Sequence, residues 1–139
     1  MPDLHLELPD GDITPLLEHV AGAVFINFSP GVDEEHTPPR TALAHLVGNQ
    51  GPYVPLATWT PGEIGIQHAA GQRVTRTLAE KGCPVPDTWY KVSEHPKRGL
   101  VLRTYDTPVD EVLRWLAKAS EELCRIKVTL PWPAMIRIR

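Results

Sequence analysis

The sequence has little of what would assign a chemistry to it. It contains only two cysteines, Cys83 and Cys124, and neither has a second cysteine or a histidine at metal-finger spacing beside it. We therefore expect two reduced, partly buried thiols, no metal site and no cofactor. Gly-x-Ser-x-Gly, His-Glu-x-x-His, phosphate-loop and dinucleotide-binding motifs are all missing. Catalysis is neither indicated nor excluded by motif spacing.

Long apolar runs are missing as well. No run approaches the roughly 18 apolar residues of a membrane-spanning helix, and Met1-Pro2-Asp3-Leu4-His5 lacks the basic and apolar parts of a signal peptide. We expect a cytoplasmic protein without membrane association. A chain of 139 residues, 42% of them hydrophobic, is long enough to bury one core. The sequence predicts a single domain, 1–139, with a β-α-β-α part over 1–52 and a sheet-and-helix module over 53–139.

Acidic and basic residues are unevenly distributed. Residues 1–60 contain eight acids and one base, whereas 61–139 contain nine acids and 13 bases. This favours contact between the two halves or head-to-tail homodimers, and a basic face for an anionic ligand is the alternative. The densest carboxylate group, Asp33, Glu34 and Glu35 beside His36, lacks the alternating ligands of a calcium loop, which favours a solvated loop.

The N-terminal part reads as short strands and helices in alternation. Leu4-His5-Leu6-Glu7-Leu8 alternates with period two and predicts a strand. Thr14-Pro15 should start a short helix. The apolar run 23–28 predicts a central strand covered on both faces, and a further helix is predicted over 40–47.

From Tyr53 onward the pattern predicts strand, helix, hairpin, helix and strand. Thr60-Pro61 and Thr107-Pro108 both fit a helix start. However, Pro61-Gly62 also fits a type II turn, which would make 63–68 a returning strand. We predict a helix over about 69–81 and leave 64–68 open.

The remaining elements follow from local periodicity. A hairpin is predicted between 88–92 and 100–105, and a helix over 108–123 because apolar residues keep helical spacing there. Strands are predicted over 126–130 and 134–139, with the last strand at a sheet edge. The expected fold is α/β or α+β, a mixed sheet of about five to seven strands with three or four helices. A ferredoxin-like order is one arrangement for its C-terminal part.

Two polar stretches form the predicted site. Near His68 a strand passes into a helix, where free amides with nearby arginines would face an anion. The second stretch is the charged hairpin tip, 93–99, which would join the first if it folded back toward His68. A packing turn and a soluble hairpin tip are the simpler interpretations. The predicted ligand-binding residues are Gln67, His68, Gln72, Arg73, Arg76, His95, Lys97 and Arg98.

These features favour a small binding or assembly module, a homodimer that recognises an anionic small molecule or an acidic partner. The alternative is a small enzyme that uses His68 or His95 as general acid or base. Binding of single-stranded nucleic acid is a third hypothesis, since several aromatic residues lie on predicted strands. A pI of about 6.0 disfavours nucleic acid as a partner.

Overall fold

The computed structural model describes residues 3–32, 54–71, 73–95 and 99–139. The predicted acidic loop at 33–36 and the predicted helix over 40–47 lie outside these residues. The described strands are β1 (Asp3–Leu8), β2 (Ala23–Phe28), β3 (Gly31–Val32), β4 (Leu56–Thr60), β5 (Glu63–Gln67), β6 (Tyr90–Ser93), β7 (Leu100–Arg103), β8 (Val128–Thr129) and β9 (Trp132–Ile138). The described helices are α1 (Thr14–Leu17), α2 (Val74–Glu80) and α3 (Val109–Leu123), with a 3-10 turn at Val20–Gly22.

Seven strands form one sheet in the order β1-β9-β2-β4-β5-β7-β6, and β3 pairs with β8. Each pairing between described strands is antiparallel. The fold is therefore α+β, and the seven strands of this sheet and the three helices of the described residues agree with the predicted numbers. The expectation of a mixed sheet is wrong, because β7 lies between β5 and β6 and separates the two strands that the α2 connection leaves parallel.

The core lies between one face of the sheet and the helices. The helix α3 packs on β4 and β5, and α1 and α2 pack on α3. Alternate side chains of the strands, such as Ile26, Ile64 and Leu102, are buried against Leu113 and Leu116 of the helix. Each such side chain contributes about 1.5–3 kcal/mol relative to an exposed position. This apolar layer fixes where α3 begins, and so positions the cleft described below.

The longest helix confirms the prediction from spacing. Its apolar stripe is buried at Val112, Leu113 and Leu116, while Asp110 and Arg114 form an ion pair on the exposed side at 2.7 Å. None of the helices in the described ranges combines the length and apolarity needed to cross a membrane. The predicted hairpin is also confirmed as β6 and β7, which pair antiparallel.

The segment that starts at Thr60 is a turn. Gly62 has φ +83, as position i+2 of a type II turn requires, and the Thr60 hydroxyl donates to the Glu63 carbonyl at 3.0 Å. The strand β5 then returns beside β4. The helix start at Thr60 was therefore a wrong interpretation, and the turn that was its alternative is the one observed.

The helix α2 begins at Val74 and not at Ala69 as predicted. The amide of Ala70 donates to His68 Nδ1 at 3.0 Å, and Gly71 has φ +86. The positive φ of Gly71 excludes a helix that runs on from Ala69, because an α-helix needs negative φ at each residue, and the bond from Ala70 belongs to the turn that precedes α2. The predicted end is close to the observed one, since the helix stops at Glu80.

The strand β2 is third of seven in the sheet, which confirms an interior position. Ile26 and Phe28 are buried on the helix-covered face. Phe25 and Asn27 are only half-buried, and Val24 is 36% exposed. The expected cover on both faces is therefore incomplete.

The last strand lies inside the sheet, so its predicted edge position is wrong. Between them, β1 and β2 flank β9 along both sides, and the predicted parts 1–52 and 53–139 thus share one sheet. Pro133 is tolerated because its carbonyl accepts from Ser29 at 3.3 Å, one residue beyond the end of β2. The amide hydrogen that Pro133 lacks would also face Ser29, so its absence removes no hydrogen bond to β2. Arg137 joins the halves through a two-point contact with Asp3 at 2.9 and 3.1 Å.

Candidate functional site

His68 lies where β5 leaves the sheet, and its side chain is 0% exposed. Its Nδ1 accepts from Ala70, and no described group hydrogen-bonds to its Nε2. Burial lowers the pKa of His68 below its ordinary value, and the carboxylate of Glu94 opposes that shift. The imidazole is therefore held neutral. A substrate could reach it only after a change of conformation.

The base of the hairpin tip folds back onto the start of α2. The Glu94 carboxylate accepts hydrogen bonds from the Thr75 amide at 2.9 Å, from the Thr75 hydroxyl, and from Lys91 Nζ at 3.1 Å. Burial raises the pKa of Glu94, but these hydrogen bonds outweigh it and leave the pKa below its ordinary value. The Thr75 amide, in the first turn of the observed α2, is thus bonded to a carboxylate of the chain itself.

The other predicted residues near this turn lie on the surface. Arg73 is exposed immediately before α2, and Gln67 is exposed at the end of β5. Arg76 is also exposed and pairs with Glu80 at 3.4 Å. None of these three side chains converges with His68, which points into the core.

The remaining predicted residues belong to the hairpin tip or to the turn before α2. His95 is exposed beside Glu94, and its carbonyl accepts from the Gly99 amide at 2.8 Å. Gln72, Lys97 and Arg98 lie outside the described residues. Whether Arg73 and Arg98 meet at one anion therefore stays a prediction.

A different part of the molecule contains a cleft of about 570 Å³. It lies at the start of α3, where β6 begins and β7 ends. Two stretches that are distant in sequence form its walls: the connector before β6, and the loop after β7 together with the first two turns of α3, which directly follow that loop. The lining residues are Pro86, Thr88, Trp89, Thr104, Tyr105, Asp106, Thr107, Pro108, Glu111 and Trp115.

Two tryptophans form the inner wall of this cleft. Trp89 and Trp115 pack edge to face, with ring centroids 5.0 Å apart and an interplanar angle of 74°. The Trp89 indole N–H donates to the Thr107 hydroxyl at 2.8 Å, and that of Trp115 donates to the Pro84 carbonyl at 2.9 Å. Both rings are thereby fixed in orientation. Thr107 was expected to cap the helix, but the N-cap residue is Pro108, and the Thr107 hydroxyl accepts from Trp89.

Tyr105 forms the outer wall in an unusual conformation. Its φ is +47, a left-handed value that costs a bulky residue on the order of 1–2 kcal/mol. The loop that imposes it is bonded at both ends, since the Thr104 amide donates to Gly62 at 3.1 Å and the Thr107 amide donates to Thr104 at 3.2 Å. The ring is 59% exposed. An aromatic face is thus presented to solvent at the rim of the cleft.

The charge of the cleft is negative. Asp106 and Glu111 are exposed at its mouth, and neither forms an ion pair with a described residue, whereas the neighbouring Asp110 is bound by Arg114. No lysine, arginine or histidine is among the described lining residues. Aromatic faces beside unpaired carboxylates attract cations, through the ring quadrupole and through direct charge.

Neither thiol contributes to this cleft. Cys83 is buried, Cys124 is half-buried, and both are free, as predicted. Burial raises the pKa of each thiol above its ordinary value, which disfavours the reactive thiolate. Across 3–32, 54–71, 73–95 and 99–139, no three His, Cys, Asp or Glu side chains are grouped to hold a metal ion.

Comparisons with protein-family models, with curated proteins and with solved structures give no match. Only the residues of the chain itself therefore bear on its function. The sequence contains partial signals of the cleft, since Trp89 and Tyr105 are aromatic residues on predicted strands and Thr107 lies at a predicted helix start. Nothing in their spacing indicated that Trp115 and Glu111 would join them.

Proposed function

We propose that this protein is a binding module whose cleft takes the cationic end of a ligand, an alkylammonium or guanidinium group with an apolar stem. The observation that carries this proposal is the cleft of about 570 Å³ with three aromatic rings and two carboxylates that form no ion pair with a described residue. Its size fits a small ligand or one side chain of a larger one. The proposal keeps the binding-module class expected from the sequence and changes the sign of the ligand's charge.

The arrangement of the aromatic rings supports a cation with an apolar stem. Trp89 and Trp115 are held by hydrogen bonds to Thr107 and Pro84, so little side-chain freedom is lost when a ligand packs on them. A cation over an aromatic face gains about 0.5–1 kcal/mol at an exposed site and more when desolvated. The start of α3 carries a positive partial charge that opposes a cation. Two full negative charges at Asp106 and Glu111 outweigh it.

Isothermal titration calorimetry with N-acetyl-arginine amide, N-acetyl-lysine amide and N-acetyl-citrulline amide tests the proposal. Citrulline keeps the shape of arginine without its charge. Two exposed carboxylates contribute up to about 1 kcal/mol each, so we expect the arginine probe to bind about tenfold more tightly than citrulline. Equal affinities for the two probes, or no heat from either of them, would contradict the proposal.

Matched variants locate the binding. Glu111→Gln and Asp106→Asn should each lower the affinity for the arginine probe by about threefold to fivefold. The affinity for the citrulline probe should not change. Glu121→Gln is the control, because Glu121 is an exposed acid on the same helix, outside the cleft. If Glu121→Gln weakens binding as much as Glu111→Gln, the attraction is a general effect of net charge and the cleft is not the site.

The expectations drawn from sequence alone stay separate proposals. An anion between Arg73 and Arg98 is supported by their charge, although the Thr75 amide beside Arg73 is taken by Glu94. An enzyme that uses His95 is supported by its exposure, and one that uses His68 needs a conformational opening. Homodimers and a cytoplasmic location are supported by charge distribution and composition.

A ferredoxin-like arrangement of the C-terminal part also belongs among these proposals. It is supported by the order β5-β7-β6 and by helices after β5 and after β7, as in a β-α-β-β-α-β unit. In that interpretation β2 and β4 widen the unit, because they lie between β5 and β9.

A further inference from the structure

One edge of the seven-stranded sheet adjoins the cleft. The strand β6 is last in the sheet order, and no described strand pairs with its outer side. Its residues Tyr90 and Val92 are 57% and 45% exposed. An edge strand presents unpaired amides and carbonyls at alternate residues, which can pair with another extended chain.

Exposed apolar side chains are concentrated at this edge. Six large hydrophobic residues are exposed in the part of the chain that the structure describes. Three of them, Tyr90, Val92 and Tyr105, lie in β6 or in the loop that follows β7. Isolated exposed hydrophobic residues are ordinary, but a group along one sheet edge marks an interaction surface. Tyr105 lines the cleft, whereas Tyr90 lies opposite Arg103 on the uncovered face of the sheet.

The position of the cleft relative to β6 determines what such a chain would meet. Thr88 and Trp89 line the cleft and directly precede Tyr90, the first residue of β6. Trp115, on α3, places the cleft on the helix-covered side of the sheet. Successive side chains of a strand point to opposite faces. A strand added beside Tyr90 would therefore direct every second side chain toward the helix-covered side, next to Trp115 and Glu111.

The negative charge of the cleft favours a positively charged side chain on the added strand. The carboxylates of Asp106 and Glu111 are unpaired among the described residues. The one base on β6, Lys91, lies opposite the buried Leu102 and therefore on the helix-covered face, where Glu94 binds its Nζ at 3.1 Å. The Glu94 carboxylate reduces the repulsion between Lys91 and a basic partner. The edge and the cleft together match an extended chain with a single basic side chain among β-branched or polar neighbours.

We infer that β6 docks an extended basic peptide segment as an added strand, with one arginine or lysine side chain of that segment seated in the cleft. This inference rests on the proposed function, because it takes the cation in the cleft to be part of a polypeptide. Main-chain hydrogen bonds to β6 supply affinity, and the cleft supplies selectivity for the basic residue.

The probe is the acetylated and amidated heptapeptide Thr-Val-Thr-Arg-Thr-Val-Thr, together with its citrulline analogue. Two further versions carry backbone N-methyl groups on alternate residues, one set on the odd and one on the even positions. Only one set of amides in an added strand faces β6. Calorimetry should show that one methylated peptide binds about tenfold or more weakly than the unmethylated one, because at least two hydrogen bonds to β6 are removed. The other set should change the affinity by less than about twofold.

Protein variants test the edge itself. Val92→Lys adds a positive charge to β6 and should lower the affinity for the arginine peptide by about fivefold or more, because the new lysine repels the arginine. The matched control is His5→Lys, which adds a basic residue to β1 at the opposite edge of the sheet and should have no comparable effect. Equal losses from Val92→Lys and His5→Lys would overturn the docking of the peptide on β6.

The outcomes separate this inference from the proposed function. If N-acetyl-arginine amide binds in the cleft but the two N-methylated sets behave alike, strand addition is refuted and the cation site stands. If only one of the two methylated peptides loses affinity but the arginine and citrulline peptides bind equally, strand addition at β6 is supported and the cation site is refuted. If neither the charge nor the methylation pattern matters, both are refuted.

Discussion

Lowering the pH from about 7.5 to about 5.5 should reduce the free energy of unfolding, and His68 should account for much of the loss. The imidazole is fully buried, and burial lowers its pKa below the ordinary value of 6.5. At a pH between 6.5 and the lowered pKa of the folded protein, His68 binds a proton in the unfolded chain but not in the folded one. Stability contributed by neutral His68 is thus present above 6.5 and is lost as the pH falls.

The magnitude follows from the linkage relation. If His68 stays neutral in the folded protein at pH 5.5 and has its ordinary pKa in the unfolded chain, the free energy of unfolding falls by up to about 1.4 kcal/mol between pH 7.5 and 5.5. Glu94 does not contribute in this window. Its pKa is lowered from 4.5, so the stability that its carboxylate provides is lost only at more acidic pH.

Urea denaturation followed by tryptophan fluorescence at about pH 7.5, 6.5 and 5.5 measures the effect. His68→Asn keeps an acceptor near the Ala70 amide but cannot titrate, so its free energy of unfolding should fall less over this range than that of the wild type. His5→Asn, at an exposed histidine, is the control and should follow the wild type. If wild type and His68→Asn lose equal stability, or if NMR titration gives a pKa of His68 above 6.5, the reasoning fails.

Two further predictions concern packing around α3. Leu116→Ala should lower the free energy of unfolding by about 2–5 kcal/mol, through lost burial and a cavity in the core, whereas Arg114→Ala on the exposed side should cost at most about 1 kcal/mol; similar values in urea denaturation would mean that Leu116 is not packed as described. Thr107→Val keeps the side-chain shape but removes the acceptor for the buried Trp89 indole N–H, and should cost about 1–3 kcal/mol. The exposed Thr88 supplies the comparison, and a loss for Thr88→Val as large as that for Thr107→Val would contradict the role of the Trp89 hydrogen bond.

Local pattern predicted the elements whose structure depends on near neighbours in sequence. The apolar stripe of α3, with Leu113 and Leu116, needs only residues three and four positions apart. The same holds for the hairpin of β6 and β7. Thr60-Pro61 and Thr107-Pro108 had different outcomes for a local reason as well, since Gly62 follows Pro61 and favours a turn, whereas Val109 follows Pro108 and continues into a helix.

The position of β9 could not be predicted in this way. Prolines and exposed arginines such as Arg137 are typical of an edge strand, and the sequence pattern contains nothing about which strands lie on either side. Only the pairing with β1 and β2 places it inside the sheet. The predicted start of α2 at Ala69 was wrong because Gly71 adopts a positive φ, and a glycine is compatible with either sign of φ, so its presence in the sequence does not show which one it adopts.

The candidate site was the least predictable part. Charge and histidine content directed attention to His68 and the hairpin tip, where the structure instead satisfies the helix start with Glu94. The cleft combines Trp89 with Tyr105 and Trp115, which lie on a separate stretch of the chain. Such a site forms only when the fold brings the connector before β6 against the loop after β7 and the start of α3.

The place of β9 between β1 and β2 also governs the order of events during synthesis. Asp3 and Arg137 are 134 positions apart, so β1 leaves the ribosome long before the strand that pairs with it. Until then Leu4, Leu6 and Leu8 form an apolar row without its partner, and the facing edge of β2 is open, a state that chaperones recognise and that invites aggregation. A premature stop that removed β9 would therefore also detach β1, so truncated chains should be cleared and not accumulate as partly folded domains.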